Sequence, residues 1–188
     1  MRSLKTIQSQ KETNSQSTKN YRYNAAERLV RYEEADSAGA VQASYRYDPF
    51  GRRITKTVAK GSATQTTYYI YGDSGLLAEM NEQGQMQTAY GWNPQAQDAG
   101  LWGTAPVWQA QVGGNGLSSS ATAYHYLHTD HLETPVLGTD KSGRQTWKAA
   151  SEAFGNTWVD TSSAITMNLR FAGQYFDVES GLHQNYFR

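Results

Sequence analysis

Tyr45-Arg46-Tyr47-Asp48-Pro49-Phe50-Gly51-Arg52-Arg53-Ile54 is the stretch from which the rest of the chain is read. In a strand, residues two apart share a face, so Tyr45 and Tyr47 project together while Ser44 and Arg46 face the other way. Asp48, Pro49 and Gly51 stand first, second and fourth in a four-residue reversal, where a type I turn favours them. The return strand then begins near Arg52 and runs through Ile54 and Val58. One unit is therefore a β-hairpin with two tyrosines on its first arm.

The tyrosine pair recurs: Tyr21 and Tyr23, Tyr45 and Tyr47, and Tyr69 and Tyr71 follow one another at 24-residue intervals. A fixed period of this length marks a repeat architecture, so self-similarity has to be explained before any catalysis. The hydrophobic fraction is only 38%, yet it includes 13 Tyr and 5 Trp, and there are 17 Gly. Aromatic residues with many turn formers suit short strands better than a helical bundle. The expected fold is all-β, an antiparallel β-hairpin strip.

Seventeen Lys and Arg balance 17 Asp and Glu, so no global field draws in nucleic acid or an anionic membrane. Nucleic-acid binding would need a basic stripe among the aromatics, and the Lys and Arg are scattered. With no cysteine, neither a disulfide framework nor a thiolate metal site is expected. The N-terminus lacks the apolar run of a signal peptide, and no stretch is apolar for long enough to insert into a membrane as a helix. Synthesis in the cytoplasm is expected, with a dedicated secretion system needed if the chain belongs to an exported protein.

In chain order, residues 1–20 are polar and aperiodic and are expected to form a disordered arm. Residues 21–92 carry the repeats. In the first copy Asn24 replaces Asp48 and Glu27 replaces Gly51, so a distorted turn is expected there, because Glu takes a positive φ less readily than Gly. Residues 33–43 are read as a connection. The strand from Thr64 to Tyr71 has large side chains on both faces and is expected to be covered on both. Reversals follow at Gly72–Gly75 and Asn81–Gly84. The 24-residue phase breaks after Trp92, and residues 93–123 read as a Gly/Ser/Pro-rich connection with a short strand near Pro106. Residues 124–188 form a last segment.

Two features of that segment echo the repeats: Tyr124-His125-Tyr126, and Asp140-Lys141-Ser142-Gly143-Arg144, which has the spacing of Asp48 to Arg52. Alongside them stand Asp130-His131-Leu132 with Thr134-Pro135, Leu169-Arg170-Phe171 with Gly173-Gln174-Tyr175, and Asp177, Glu179, Gly181 and Leu182. The Tyr-x-Tyr-Asp-x-x-Gly-Arg units resemble the YD repeats of Rhs and teneurin-like proteins, and residues 124–188 resemble the Rhs repeat-associated core. The resemblance covers most of the chain after Asn20. It implies a hairpin strip that in full-length relatives spirals into a hollow shell around a toxic C-terminal polypeptide, in polymorphic toxins or toxin complexes. Only about three repeat copies precede the core-like segment, and family members usually continue into an Asp-Pro-x-Gly region where many self-cleave. A truncated or separated fragment is therefore expected, with the toxin absent.

Within this reading Tyr45, Tyr47, Asp48, Gly51, Arg52, Tyr69, Tyr71, Asp140, Gly143 and Arg144 are structural residues of the repeat. Asp130, His131, Leu132, Thr134, Pro135, Gly173, Gln174 and Tyr175 carry the core motif. Structural work without catalysis or a cofactor is expected. Its partners are the remaining shell, a C-terminal toxin segment, or a second copy met at unpaired strand edges. Two other classes compete. The tyrosines Tyr45, Tyr47, Tyr69 and Tyr71 could stack on sugars at a cell surface, against the alternative that they stack on one another as the packing core of the strip. Arg170 and Asp177 are the candidates for a remnant aspartate-dependent self-cleaving core, against a turn carboxylate and a sheet-face ion-pair donor. His125, His128 and His131 form a candidate metal cluster, although His128 has the opposite strand parity to the other two.

Overall fold

The computed structural model describes residues 8–14, 17–36, 39–95, 105–152 and 156–185. These residues contain strands and turns, and no helix. A single 13-stranded antiparallel sheet is built in sequence order, each strand hydrogen-bonded to the one before it. Its strands are β1 (Gln8–Thr13), β2 (Ser17–Tyr23), β3 (Leu29–Asp36), β4 (Gly39–Tyr47), β5 (Arg53–Lys60), β6 (Ala63–Gly72), β7 (Gly75–Met80), β8 (Met86–Trp92), β9 (Pro106–Gln111), β10 (Ala123–Thr129), β11 (Pro135–Thr139), β12 (Gln145–Ser151) and β13 (Thr157–Val159). A separate hairpin, β14 (Gln174–Asp177) and β15 (Leu182–Asn185), follows. The fold is an open antiparallel hairpin strip, and the sheet runs from β8 through β9 to β10 across residues 93–123.

One turn is used repeatedly. At 24–28, 48–52, 81–85, 130–134 and 140–144, the first residue's amide donates to the fifth residue's carbonyl, and the fourth residue's amide donates back to the first residue's carbonyl. An Asx side chain opens each copy. Its Oδ1 accepts the amide of Arg28, Arg52, Gln85, Thr134 and Arg144 respectively, at 2.8–3.1 Å. This is the three-residue hairpin loop, a type I turn followed by a left-handed residue. Gly51 fills the left-handed place at φ 91° and Gly143 at 81°. Glu27 fills it at φ 58° and Glu133 at 63°, so the first copy keeps the full turn instead of distorting it. Two backbone hydrogen bonds and the Asn24 cap hold Glu27 in a conformation that it would not choose alone.

A second irregularity accompanies the turns. In the hairpins β2–β3, β4–β5, β6–β7, β8–β9 and β10–β11, the pairing register shifts by one residue close to the connection. Tyr47 pairs with Arg53 and Arg46 with Thr55, leaving Ile54 as the extra residue of a β-bulge. Val30, Leu77, Val107 and Val136 hold the same place in the other four. A bulge bends its strand and increases its twist. Because the meander alternates ends, these five bulges lie along one margin of the strip, while shifts in β7–β8 and β11–β12 place two more, at Gln87 and Thr146, along the other.

One face of the sheet is the core. Tyr21, Tyr32, Ala43 and Tyr45 form one buried cluster. Tyr69, Leu76, Tyr90, Leu127, Trp147 and Ala149 form another, completed by Ile165, Met167, Leu169 and Tyr175. These last four arrive on the segment after β13, which folds back over the sheet. Burying a side chain such as Met167 or Leu169 contributes about 1.5–3 kcal/mol. On the opposite face Tyr68 and Ile70 are both 41% exposed, so β6 is covered on one side and not on two, while Ala89, Ala110 and Val112 form a smaller buried cluster against Trp108 and Tyr124.

Two other expectations change. Residues 33–36 and 39–43 are strand rather than connection, and the polar arm contains β1 and the start of β2 within 8–20. Pairing from Gln8–Tyr23 to Thr13–Thr18 carries β1 as an edge strand. All of its side chains are exposed, so backbone hydrogen bonding holds it and the sequence has no apolar alternation to show. Residues 1–7 lie outside the described part.

Candidate functional site: a buried charge cluster under the terminal hairpin

The repeat tyrosines lead to the most concentrated chemistry in the molecule. Because Ile54 is a bulge residue, Arg53 and Lys56 both turn onto the face carrying Tyr45 and Tyr69, where strict alternation would separate them. Arg53 is 1% exposed, and Tyr45 and Tyr69 are 3% exposed. The Arg53 guanidinium lies over the rings of Tyr45, Tyr69 and Tyr175, at 5.4, 4.8 and 5.1 Å from their centroids. The tyrosines of neighbouring repeats therefore pack around a cation rather than directly on one another, each ring offering its negative face. A direct pair does occur between Tyr21 and Tyr32 in adjacent strands, with centroids 5.4 Å apart.

Asp177 and Glu179 reach this cluster from the end of β14 and the turn that follows. Arg53 Nη1 donates to Asp177 Oδ2 at 2.5 Å, and Lys56 Nζ to Asp177 Oδ1 at 2.9 Å and Glu179 Oε2 at 3.2 Å. Tyr45 Oη donates to Glu179 Oε1 at 2.9 Å. Two cations meet two carboxylates, so the cluster is neutral as a whole. Burial works against the Lys56 ammonium, but Tyr69, Asp177 and Glu179 together hold its pKa above the ordinary range. Burial pushes the Tyr45 hydroxyl well up, and Glu179 and Asp177 add to the shift. A charge left unpaired in such a place costs several kcal/mol, so sliding the hairpin along the sheet is strongly penalised. The cluster fixes one docking register.

A second polar contact lies farther along the sheet, at Glu79 on β7. Tyr90 Oη and Tyr175 Oη both donate to Glu79 Oε1, at 2.6 and 2.9 Å. Tyr175 thus belongs to both clusters and joins β7 and β8 to β14.

The remaining candidates divide between turns and scattered positions. Arg52 Nε pairs with Asp48 Oδ2 at 2.6 Å, and Arg144 Nη2 with Asp140 Oδ2 at 3.0 Å, each inside its own turn. Tyr47 Oη donates to the Leu29 carbonyl and Tyr71 Oη to the Arg53 carbonyl, which ties consecutive repeats together. Asp130 caps the amides of Leu132 and Thr134. His131 and Leu132 are exposed at the tip, whereas Thr134 and Pro135 are buried. Gly173 takes φ 76° beside the turn closed by Gln174 N to Phe171 O.

The three histidines are not brought together. His125 is buried with Nδ1 at 3.1 Å from Thr146 Oγ1, while His128 is exposed and lies 3.1 Å from Thr139 Oγ1. Among the described residues no three His, Asp or Glu side chains group to hold a metal. Arg170 does not meet Asp177, whose oxygens go to Arg53 and Lys56. The tyrosines weighed as a sugar platform face the covered side, and the well-exposed aromatics include Tyr68, Tyr126 and Trp158. Arg53, Lys56 and Glu79 escaped sequence reasoning. The first two are displaced by a bulge that alternation cannot anticipate, although Arg53 stands within the quoted repeat.

No protein-family model matches the chain. It is 29% identical over 183 residues to the double-stranded DNA deaminase toxin A of Burkholderia cenocepacia, covering 91% of this chain and 13% of that protein. The chain is similar to large bacterial toxin proteins. Toxin protein Tse5 of Pseudomonas aeruginosa is 27% identical across 88% of the chain and 14% of its own length. The probable deoxyribonuclease RhsB of Dickeya dadantii is 29% identical across 77% and 9% respectively. The chain thus spans about a seventh or less of these relatives. In fold it matches a chain of the Photorhabdus luminescens Tc holotoxin pore, with TM-score 0.62 and 17% identity over 90% of this chain and 8% of that one. The crystal structure of TcdB2-TccC3 gives TM-score 0.61 with the same identity and coverage.

Proposed function

We propose that the chain is a wall segment of an Rhs-type toxin or toxin-complex protein, one piece of a β-shell that encloses a C-terminal toxin, and that it has no catalytic activity of its own. The observation carrying this reading is the unbroken 13-stranded meander, with its tail folded over one face and five bulges along one margin against two along the other. An open sheet of this length leaves strand edges that call for more sheet. The chemistry fits the same reading, because the charges of Arg53, Lys56, Asp177 and Glu179 are spent on one another in ion pairs that pin the terminal hairpin to the sheet. The similarity to toxins many times longer fits a portion of a larger body.

The test is to express the chain with its in-frame flanking coding sequence, image the particles by cryo-electron microscopy and challenge them with protease. A hollow β-walled particle that shields a C-terminal segment is expected. A C-terminal segment digested as fast as it is when free overturns the proposal.

A further inference from the structure

Beside the neutral cluster lies a cation, Arg170, with no ion-pair partner among the described residues. Arg170 is 7% exposed, and its Nη1 donates to the carbonyls of Met167 at 2.6 Å and Leu169 at 2.9 Å. Its guanidinium sits 4.9 Å from the centre of the Phe176 ring. Nε is buried and has no acceptor. The ion pairs among the described residues all use other cations. A buried charge with carbonyls for partners and an idle N–H is an expensive arrangement for a fold to retain.

Arg170 lines a recess of about 510 Å³ together with Asn156, Thr157, Val159, Phe176, Gly181 and His183. Burial lowers the Arg170 pKa to about 10, which leaves it charged at pH 7. Burial, with Arg170 adding to it, lowers the pKa of His183, so the imidazole is neutral there. Among the described residues the recess lining therefore holds one positive charge and no carboxylate. It also borders β13, the last strand of the sheet order, along which an incoming chain can run.

We infer that this recess binds one carboxylate carried by a polypeptide, held by the Arg170 guanidinium with His183 and Asn156 beside it. A planar monoanion matches the fork in shape and in charge. A phosphate dianion would bring a second charge with no cation to meet it.

The carboxylate can come from an acidic side chain or from a chain terminus, and two probes separate these sources. N-acetylaspartate N-methylamide presents the first and N-acetylglycine the second, with N-acetylasparagine N-methylamide as the neutral control. Each is titrated into the whole chain while the Arg170 Nε–H and His183 ring resonances are followed by NMR. A saturable shift with at least one carboxylate, and none with the control, is expected, and the tighter probe identifies the source. Arg170→Lys keeps the charge but removes the fork, and is expected to weaken binding by about tenfold. Circular dichroism checks that this variant folds, and the aspartate–asparagine comparison on the unaltered chain stands without it. No saturable shift with either carboxylate, an equal response to the control, or undiminished binding by folded Arg170→Lys overturns the inference.

Discussion

Arg53 and Asp177 are separated by 124 residues of sequence, yet they form an ion pair with side chains only 1% and 4% exposed. Removing one partner strands the other in a place without water. Asp177→Ala is therefore expected to lower the unfolding free energy by about 3–5 kcal/mol, and Arg53→Met by a similar amount. The double variant should recover part of the loss, since Lys56 and Glu179 still pair. Urea titrations of the two single variants and the double variant, closed as a cycle, measure this.

Alkaline pH should unfold the protein early. Lys56 and Tyr45 have raised pKa values in the folded state, and burial lifts the Tyr47 hydroxyl to about 12. Such groups hold protons that the unfolded chain releases near pH 10, so their stabilisation is complete below that pH and is lost as pH rises through the folded values. Tyr47→Phe removes one such proton, and the loss of stability between about pH 10 and 12 should become shallower by up to about 1.4 kcal/mol per pH unit. Denaturation curves at stepped pH give the two slopes.

Asp140 gives the opposite limb. Its pKa is held at about 2, first by the hydrogen bond from the Ser142 hydroxyl and then by backbone amides. Its contribution is present above the unfolded value near pH 4 and is lost as pH falls towards 2. In Asp140→Asn the acid limb of the stability curve should be shallower over that window, while the alkaline limb is unchanged.

Gly51 and Glu27 hold equivalent left-handed positions and should respond oppositely to substitution. A Cβ on Gly51 would sit 1.9 Å from Arg28 Nη2, at a φ of 91°. Gly51→Ala is expected to destabilise by more than about 1 kcal/mol, and adding Arg28→Ala should relieve only the clash. Glu27→Gly should be neutral to stabilising by about 1 kcal/mol, because relief of the left-handed backbone outweighs the added freedom of the unfolded chain. Thermal melts of the three variants decide.

Zinc should leave the melting temperature unchanged, because His125 lies buried against Thr146 while His128 contacts Thr139 in exposed surroundings. A rise in melting temperature that disappears in His128→Ala would show that the three histidines converge after all.

The turns were the most legible part of the chain. Asp48 and Gly51, or Asp140 and Gly143, announce themselves because a side-chain cap and a left-handed residue must fall at fixed spacing. The aromatic alternation likewise showed which arm each hairpin starts from. Ile54 and Val58 read as residues of one regular return strand, but Ile54 is the bulge residue and 39% exposed. A one-residue register shift reverses every facing downstream of it, and composition does not encode it. The meeting of Arg53 with Asp177 was illegible for a different reason: it depends on how the chain after β13 folds back, a long-range event with no local signature. β1 was missed because a strand with every side chain exposed, held mainly by its backbone pairing with β2, needs no apolar pattern.

Five bulges along one margin of the strip against two along the other make the two long margins of the sheet unequal in residue count, as seams sewn with extra stitches along one side force cloth to flare. The resulting bend belongs to the main chain. Side chains such as Tyr68 and Ile70 on the uncovered face can be exchanged without altering it.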